Sequence, residues 1–135
     1  MSEANVSNHL IKHTTSRSFD DVCAEVASTC QEHEFGVLGT IDLRAKMKSK
    51  GVEFEPACTV FEVCNPRKAK EVLTANMDIS SSLPCRLAIY TENGKTVVST
   101  LRSTRLLALY DTPGAADEAL EVEKTMTAII EQLAD

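Results

Sequence analysis

The sequence has no tryptophan, and aromatic residues make up 4% of it. A chain this poor in rings lacks the stacking platforms that hold single-stranded nucleic acid. No apolar run approaches the roughly 18 residues needed to span a bilayer. There is no Cys-x-x-Cys and no paired Cys/His spacing, so neither a zinc ribbon nor a thioredoxin motif is present. The three histidines, His9, His13 and His33, show no ligand spacing to a Cys, Asp or Glu cluster. No metal site is read. No Ser-His-Asp set or paired-carboxylate site is legible either. The two glycines of "EFGVLG" match neither a phosphate loop nor a dinucleotide fingerprint. Nothing therefore points to a hydrolase or a nucleotide enzyme, and no cofactor is expected. The stretch "MSEANVSNHLIKH" lacks a basic n-region and an apolar h-region, which sets the expectation of a cytoplasmic protein with reduced thiols.

What is present fits one domain over 1–135, with the polar residues 1–7 expected to fray. Hydrophobic residues make up 43% of the chain, enough for a core, and the net charge is −6. That charge argues against nucleic acid and acidic membrane surfaces as partners. "HLIKHTTS", residues 9–16, reads as a strand. Residues 18–34 read as a helix, capped by Ser18, with Asp20 and Asp21 at its positive end. Phe19, Val22, Cys23, Val26, Ala27 and Cys30 give it one apolar stripe. "FGVLGTI", 35–41, is a second strand. Asp42 then caps a short basic helix that stops at Gly51. "ACTVFEVC", 57–64, is a third strand. It places Ala57, Thr59, Phe61 and Val63 on one face and Cys58, Val60, Glu62 and Cys64 on the other. Asn65 and Pro66 suit the cap and first position of a helix over 66–75, with Ala69, Val72 and Leu73 inward.

Asn93-Gly94 is a strong hairpin signal, because a type I′ turn needs positive φ at both central residues. It pairs Glu92 with Lys95, Ile89 with Val98 and, carried on, Cys85 with Arg102. "TRLLALYD", residues 104–111, reads as a helical turn or short edge segment. A last helix over 113–134 carries Leu120, Val122, Met126, Ile129, Ile130 and Leu133 as its stripe. The order β-α-β-α-β-α-β-β-α predicts an α+β fold. In it a curved antiparallel or mixed sheet is backed by helices.

Cys64 and Cys85 are the residues that raise a chemical question. An extended run through 76–84 would return the chain from the 66–75 helix and bring the two thiols together. Cys64 would then sit by a helix N-terminus, with Arg67 and Lys68 in its first turn. Arg86 and Arg102 would flank Cys85. Each feature favours a thiolate. The alternative is plain packing, since cysteine is among the most buried residue types. Glu62 would be costly to bury unpaired, so its face is expected to be open or paired, with Arg86, Arg102 and Arg105 as partners.

Gly36-Val37-Leu38, Ile41-Asp42-Leu43, Lys50-Gly51, Cys64-Asn65-Pro66, Leu83-Pro84-Cys85-Arg86 and the Asn93-Gly94 hairpin together resemble one family. It is the bacterial and archaeal domain of unknown function 302. The resemblance spans about residues 10–135. It implies a sheet backed by helices, similar to the TATA-binding-protein or helix-grip class, and a homodimer. It implies no reaction. Two functional readings stand beside each other. In the first, Cys64 and Cys85 form a thiol, persulfide or soft-metal site, with Arg86, Arg102, Glu62 and Asn65 as ligand-binding neighbours. In the second, a small-molecule ligand binds without covalent chemistry between the sheet and the last helix. A purely structural homodimer is the third.

Overall fold

Asn93 and Gly94 adopt φ of 53° and 75°, so the two-residue turn forms as its chemistry dictates and fixes the register of the sheet's centre. The structure is a computed structural model that describes residues 9–135. Residues 1–7, expected to fray, lie outside the described residues. The strands are β1 (Leu10–Thr15), β2 (Gly36–Asp42), β3 (Cys58–Cys64), β4 (Cys85–Glu92) and β5 (Lys95–Leu101). The helices are α1 (Phe19–Glu32), α2 (Leu43–Ser49), α3 (Pro66–Ala75), α4 (Ser103–Leu107) and α5 (Ala116–Ala134). The strands form one open sheet in the order β1-β5-β4-β3-β2. All four pairings are antiparallel. The fold is α+β, as the element order predicts.

The hairpin pairs Glu92 with Lys95 and Ile89 with Val98. That puts Ile11, Val98, Ile89, Leu87, Phe61 and Val63 on the buried face, where α1 and α5 pack on them. Val22, Val26 and Cys30 of α1 and Met126, Ile129, Ile130 and Leu133 of α5 complete this core. Ser18 caps α1 by accepting the Asp21 N–H at 3.1 Å. Arg17 pairs with Glu25 and donates to the Leu133 carbonyl at 2.9 Å, which ties the start of α1 to the end of α5. Two members of the expected stripes fall outside the core. Ala27 is exposed. Leu120 is 45% exposed while Ala119 is buried. Each lies at the margin of its helix's apolar arc, where one step of about 100° turns a side chain to solvent.

A second, smaller cluster joins Val72 of α3, Ile79 and Ala115, with Leu73, Leu83, Leu107 and Tyr110 against it. Ile79 belongs to a segment expected to be extended. Residues Met77–Ser82 instead form a 3-10 helix. The reason is local: Asn76 accepts the Asp78 N–H at 2.9 Å and caps the turn, and Ile79, fully buried, anchors it. A further 3-10 turn, Pro113–Ala115, precedes α5, which therefore starts three residues later than its periodicity suggests.

The other sheet face is formed by Lys12, Ser99, Ala88, Val60 and their neighbours. It is turned away from α1 and α5.

Candidate functional site

Cys64 ends β3 and Cys85 begins β4. The two strands are neighbours, with Val63 opposite Cys85, so the expected meeting of the two thiols is realised although the 76–84 segment folds differently. Both side chains line one cavity of about 40 Å³. β3, α3, α4 and α5 enclose it. Val63 and Phe35 come from the core side. Ala69 and Val72 come from α3, Leu106 and Leu107 from α4, and Val122 from α5. Lys68 and Glu118 stand at its edge, and Lys68 bridges Glu118 at 2.7 Å and also pairs with Glu121. The wall surface is almost wholly apolar.

The electrostatics oppose the thiolate. Burial pushes the Cys64 thiol up from its ordinary range. Burial, and next the neighbouring Cys64, push Cys85 up as well. The Ser103 hydroxyl, Arg86 and the Cys85 backbone N–H pull the other way and do not outweigh them. Two expected stabilisers are engaged elsewhere. The Asn65 side chain accepts the Arg67 and Lys68 N–H groups at 3.0 and 3.2 Å, so the α3 N-terminus is satisfied by its own cap. Arg102 is turned to Glu123, at 3.3 Å. The ladder between β4 and β5 ends at Ala88 opposite Ser99, so the extrapolated pairing of Cys85 with Arg102 is not part of it. Cys23 and Cys30 are both held up at about 11, by burial first. Cys30 lies in the core and Cys23 packs against it, and both read as packing residues.

Glu62 lies opposite Arg86 in the β3–β4 ladder, with its Oε2 3.9 Å from the guanidinium. The β-carbon of any residue at 39 would sit 2.6 Å from Glu62 Oε1. Gly39 therefore leaves the space that the Glu62 carboxylate occupies over β2, beside the bulge between Val37 and Gly39. Arg86 takes up the partnership expected for Glu62. Arg102, committed to Glu123, does not.

A second cavity, about 180 Å³, lies on the sheet face turned away from α1 and α5. Arg86, Ala88, Leu10 and Leu101 line it. Ser82, Cys85, Ser103 and Leu106 line both cavities, which adjoin at these residues. The sequence reading missed Ser103, although the hairpin register that placed residue 102 near Cys85 also placed 103. It placed Lys68 beside Cys64 but missed its tie to Glu118 and Glu121 of α5, a long-range contact. Among the described residues, no group of three or more His, Cys, Asp or Glu side chains could hold a metal ion. Among them, too, no helix is long and apolar enough to cross a membrane.

The comparisons with known proteins bear on family and fold. No protein with a curated description matches the chain. A solved structure titled as an uncharacterized conserved protein DUF302 from Bacillus stearothermophilus is 26% identical. The match covers 96% of this chain and 100% of that one, with a TM-score of 0.89. The family model described as a domain of unknown function, DUF302, matches residues 11–133, and the chain belongs to that family.

Proposed function

We propose that this protein binds a small molecule, and that the 40 Å³ cavity beside Cys64 and Cys85 receives an uncharged, apolar end group of the ligand. The observation that carries this reading is the cavity's composition. Two protonated thiols and apolar side chains supply most of its surface, with Lys68 and Glu118 at its edge and Ser82 and Ser103 in its wall. One water needs about 10–15 Å³ of such space, so the niche takes a guest of about three heavy atoms. Water against so apolar a surface has few hydrogen-bond partners, so an apolar guest displaces it at little cost. The thiols suit the wall as soft, polarisable contacts.

Thiolate nucleophile or soft-metal chemistry is the less supported reading. The N–H groups and the Arg102 charge that were expected to stabilise a thiolate have other partners. Binding of xenon or 1-propanol, followed by amide NMR shifts, tests the proposal. The expected result is saturable shifts at Val63, Cys64, Cys85 and Val122, and their loss in Ala69→Leu, which fills the niche from α3. Absence of saturable shifts in the folded wild type contradicts it.

A further inference from the structure

Cys85 has cavity on both sides. Its inner side faces the apolar niche. Its outer side faces the 180 Å³ groove on the second sheet face. Four residues, Ser82, Cys85, Ser103 and Leu106, are all that the two spaces share. The groove is too small for the roughly 300–1,000 Å³ of a drug-sized ligand site, and its walls mix apolar side chains with the hydroxyls of Ser99 and Thr100. Leu10, Ala88 and Leu101 are apolar, and Arg86 supplies its cation.

The Arg86 guanidinium is accessible from this groove. The side chain is 57% exposed, and its charged partner, Glu62, is 3.9 Å away. That separation is beyond hydrogen-bond range. Among the described residues no hydrogen bond engages the guanidinium. A planar fork of donors left open at the rim of an apolar groove is the arrangement that recognises a carboxylate or sulfonate bidentately. Glu62 opposes the anion by like charge but sits to one side, held over Gly39.

We propose that groove and niche form one site for a small organic anion: its carboxylate or sulfonate on Arg86, its apolar chain over Ala88 and Leu101, and its end group at Cys85. This names the ligand class for the binding reading above and rests on it. The chemistry is non-covalent. The anion fixes orientation, and the length of chain between Arg86 and Cys85 sets which ligands reach the niche.

The test is an amide-NMR titration of the full chain with n-alkanoates from acetate to hexanoate, beside the matching 1-alkanols. The longer alkanoates are expected to bind about tenfold tighter than their alcohols, as a charge-assisted bidentate pair allows. Affinity should rise with chain length until the niche is filled. Arg86→Gln should erase the preference for the acid and leave alcohol binding unchanged. Glu62→Gln should act in the opposite direction and tighten alkanoate binding, which a merely structural role for the pair does not predict. Equal affinity for acids and alcohols, or alkanoate binding untouched by Arg86→Gln, overturns the anion assignment while the niche stands. If neither series binds the folded protein, both the assignment and the binding reading fall.

Discussion

The two hydrophobic clusters of this protein are built differently. The larger one, between the sheet and α1 and α5, consists of aliphatic and aromatic side chains that meet from two layers, and most of them are fully buried. The smaller one, under α3 and α4, rests on Val72, Ile79 and Ala115. Polar ties supplement it. Asn76 donates to the Thr112 hydroxyl at 2.8 Å. Tyr110 hydrogen-bonds Ser81 and Ser82. Lys68 joins α3 to α5 through Glu118 and Glu121. The niche lies on the seam between the clusters. Dense packing leaves no void larger than a water in a good core, so a cavity belongs where packing is thin. Regions with few apolar contacts are also the ones that open at low cost. The binding proposed above would therefore open the seam while the sheet stays folded.

The comparison breaks most decisively in the large cluster. Val26→Asp places an unpaired charge at a fully buried position and should cost about 4 kcal/mol or more. A melting curve within a degree or two of wild type contradicts the packing of α1. Ile79→Ala sharpens the contrast. It should cost about 2–4 kcal/mol, and hydrogen exchange should locate the loss in α3 and the 3-10 turn at 77–82. Equal loss of protection in β4 and α5 would mean that the two clusters form one cooperative unit.

Glu123 tests a tie between α4 and α5. Burial disfavours its charge. The Thr104 hydroxyl and N–H, at 2.6 and 3.0 Å, and Arg102 outweigh that and hold its carboxyl below the usual range. A depressed carboxyl contributes stability above its unfolded value of about 4.3. That stability is lost as pH falls through the lower folded value. Glu123→Ala should thus cost about 1–2 kcal/mol at neutral pH, and the gap from wild type should narrow in denaturant titrations near pH 3. A gap independent of pH contradicts this account. Asn65→Ala removes the α3 cap and should have the smallest effect, about 1 kcal/mol. Chemical denaturation of the variant reads it directly.

The sheet was legible because its determinants are local. Asn93-Gly94 dictates a turn, and the turn dictates which residues face each other. Ser18, Asp42 and Asn65 announce their helices, and each cap forms. The meeting of Cys64 and Cys85 was legible for the same reason, through adjacent strand ends. What periodicity could not give were the two segments that flank the hairpin, 76–84 and 103–115. Their order comes from Ile79 in the second cluster and from side-chain pairs far apart in sequence, such as Thr104 with Glu123. Which of the two readings of the thiols the electrostatics favour was not legible either. A helix N-terminus and a nearby arginine favour a thiolate only if free. Sequence shows neither the Asn65 cap filling the N–H groups nor Glu123 claiming Arg102. Burial, which decides the direction, is a property of the folded chain.

The central claim is that Cys64 and Cys85 are a neutral wall of a binding niche. Residue-resolved iodoacetamide labelling across pH, read by mass spectrometry on the folded protein, tests it most directly. The account predicts that both thiols react slowly at pH 7. Their rates should rise only with midpoints above the ordinary cysteine value of about 8.5. Rapid labelling of either thiol at pH 7, with a midpoint near neutrality that survives Arg102→Ala, would contradict it and restore the pair as nucleophiles.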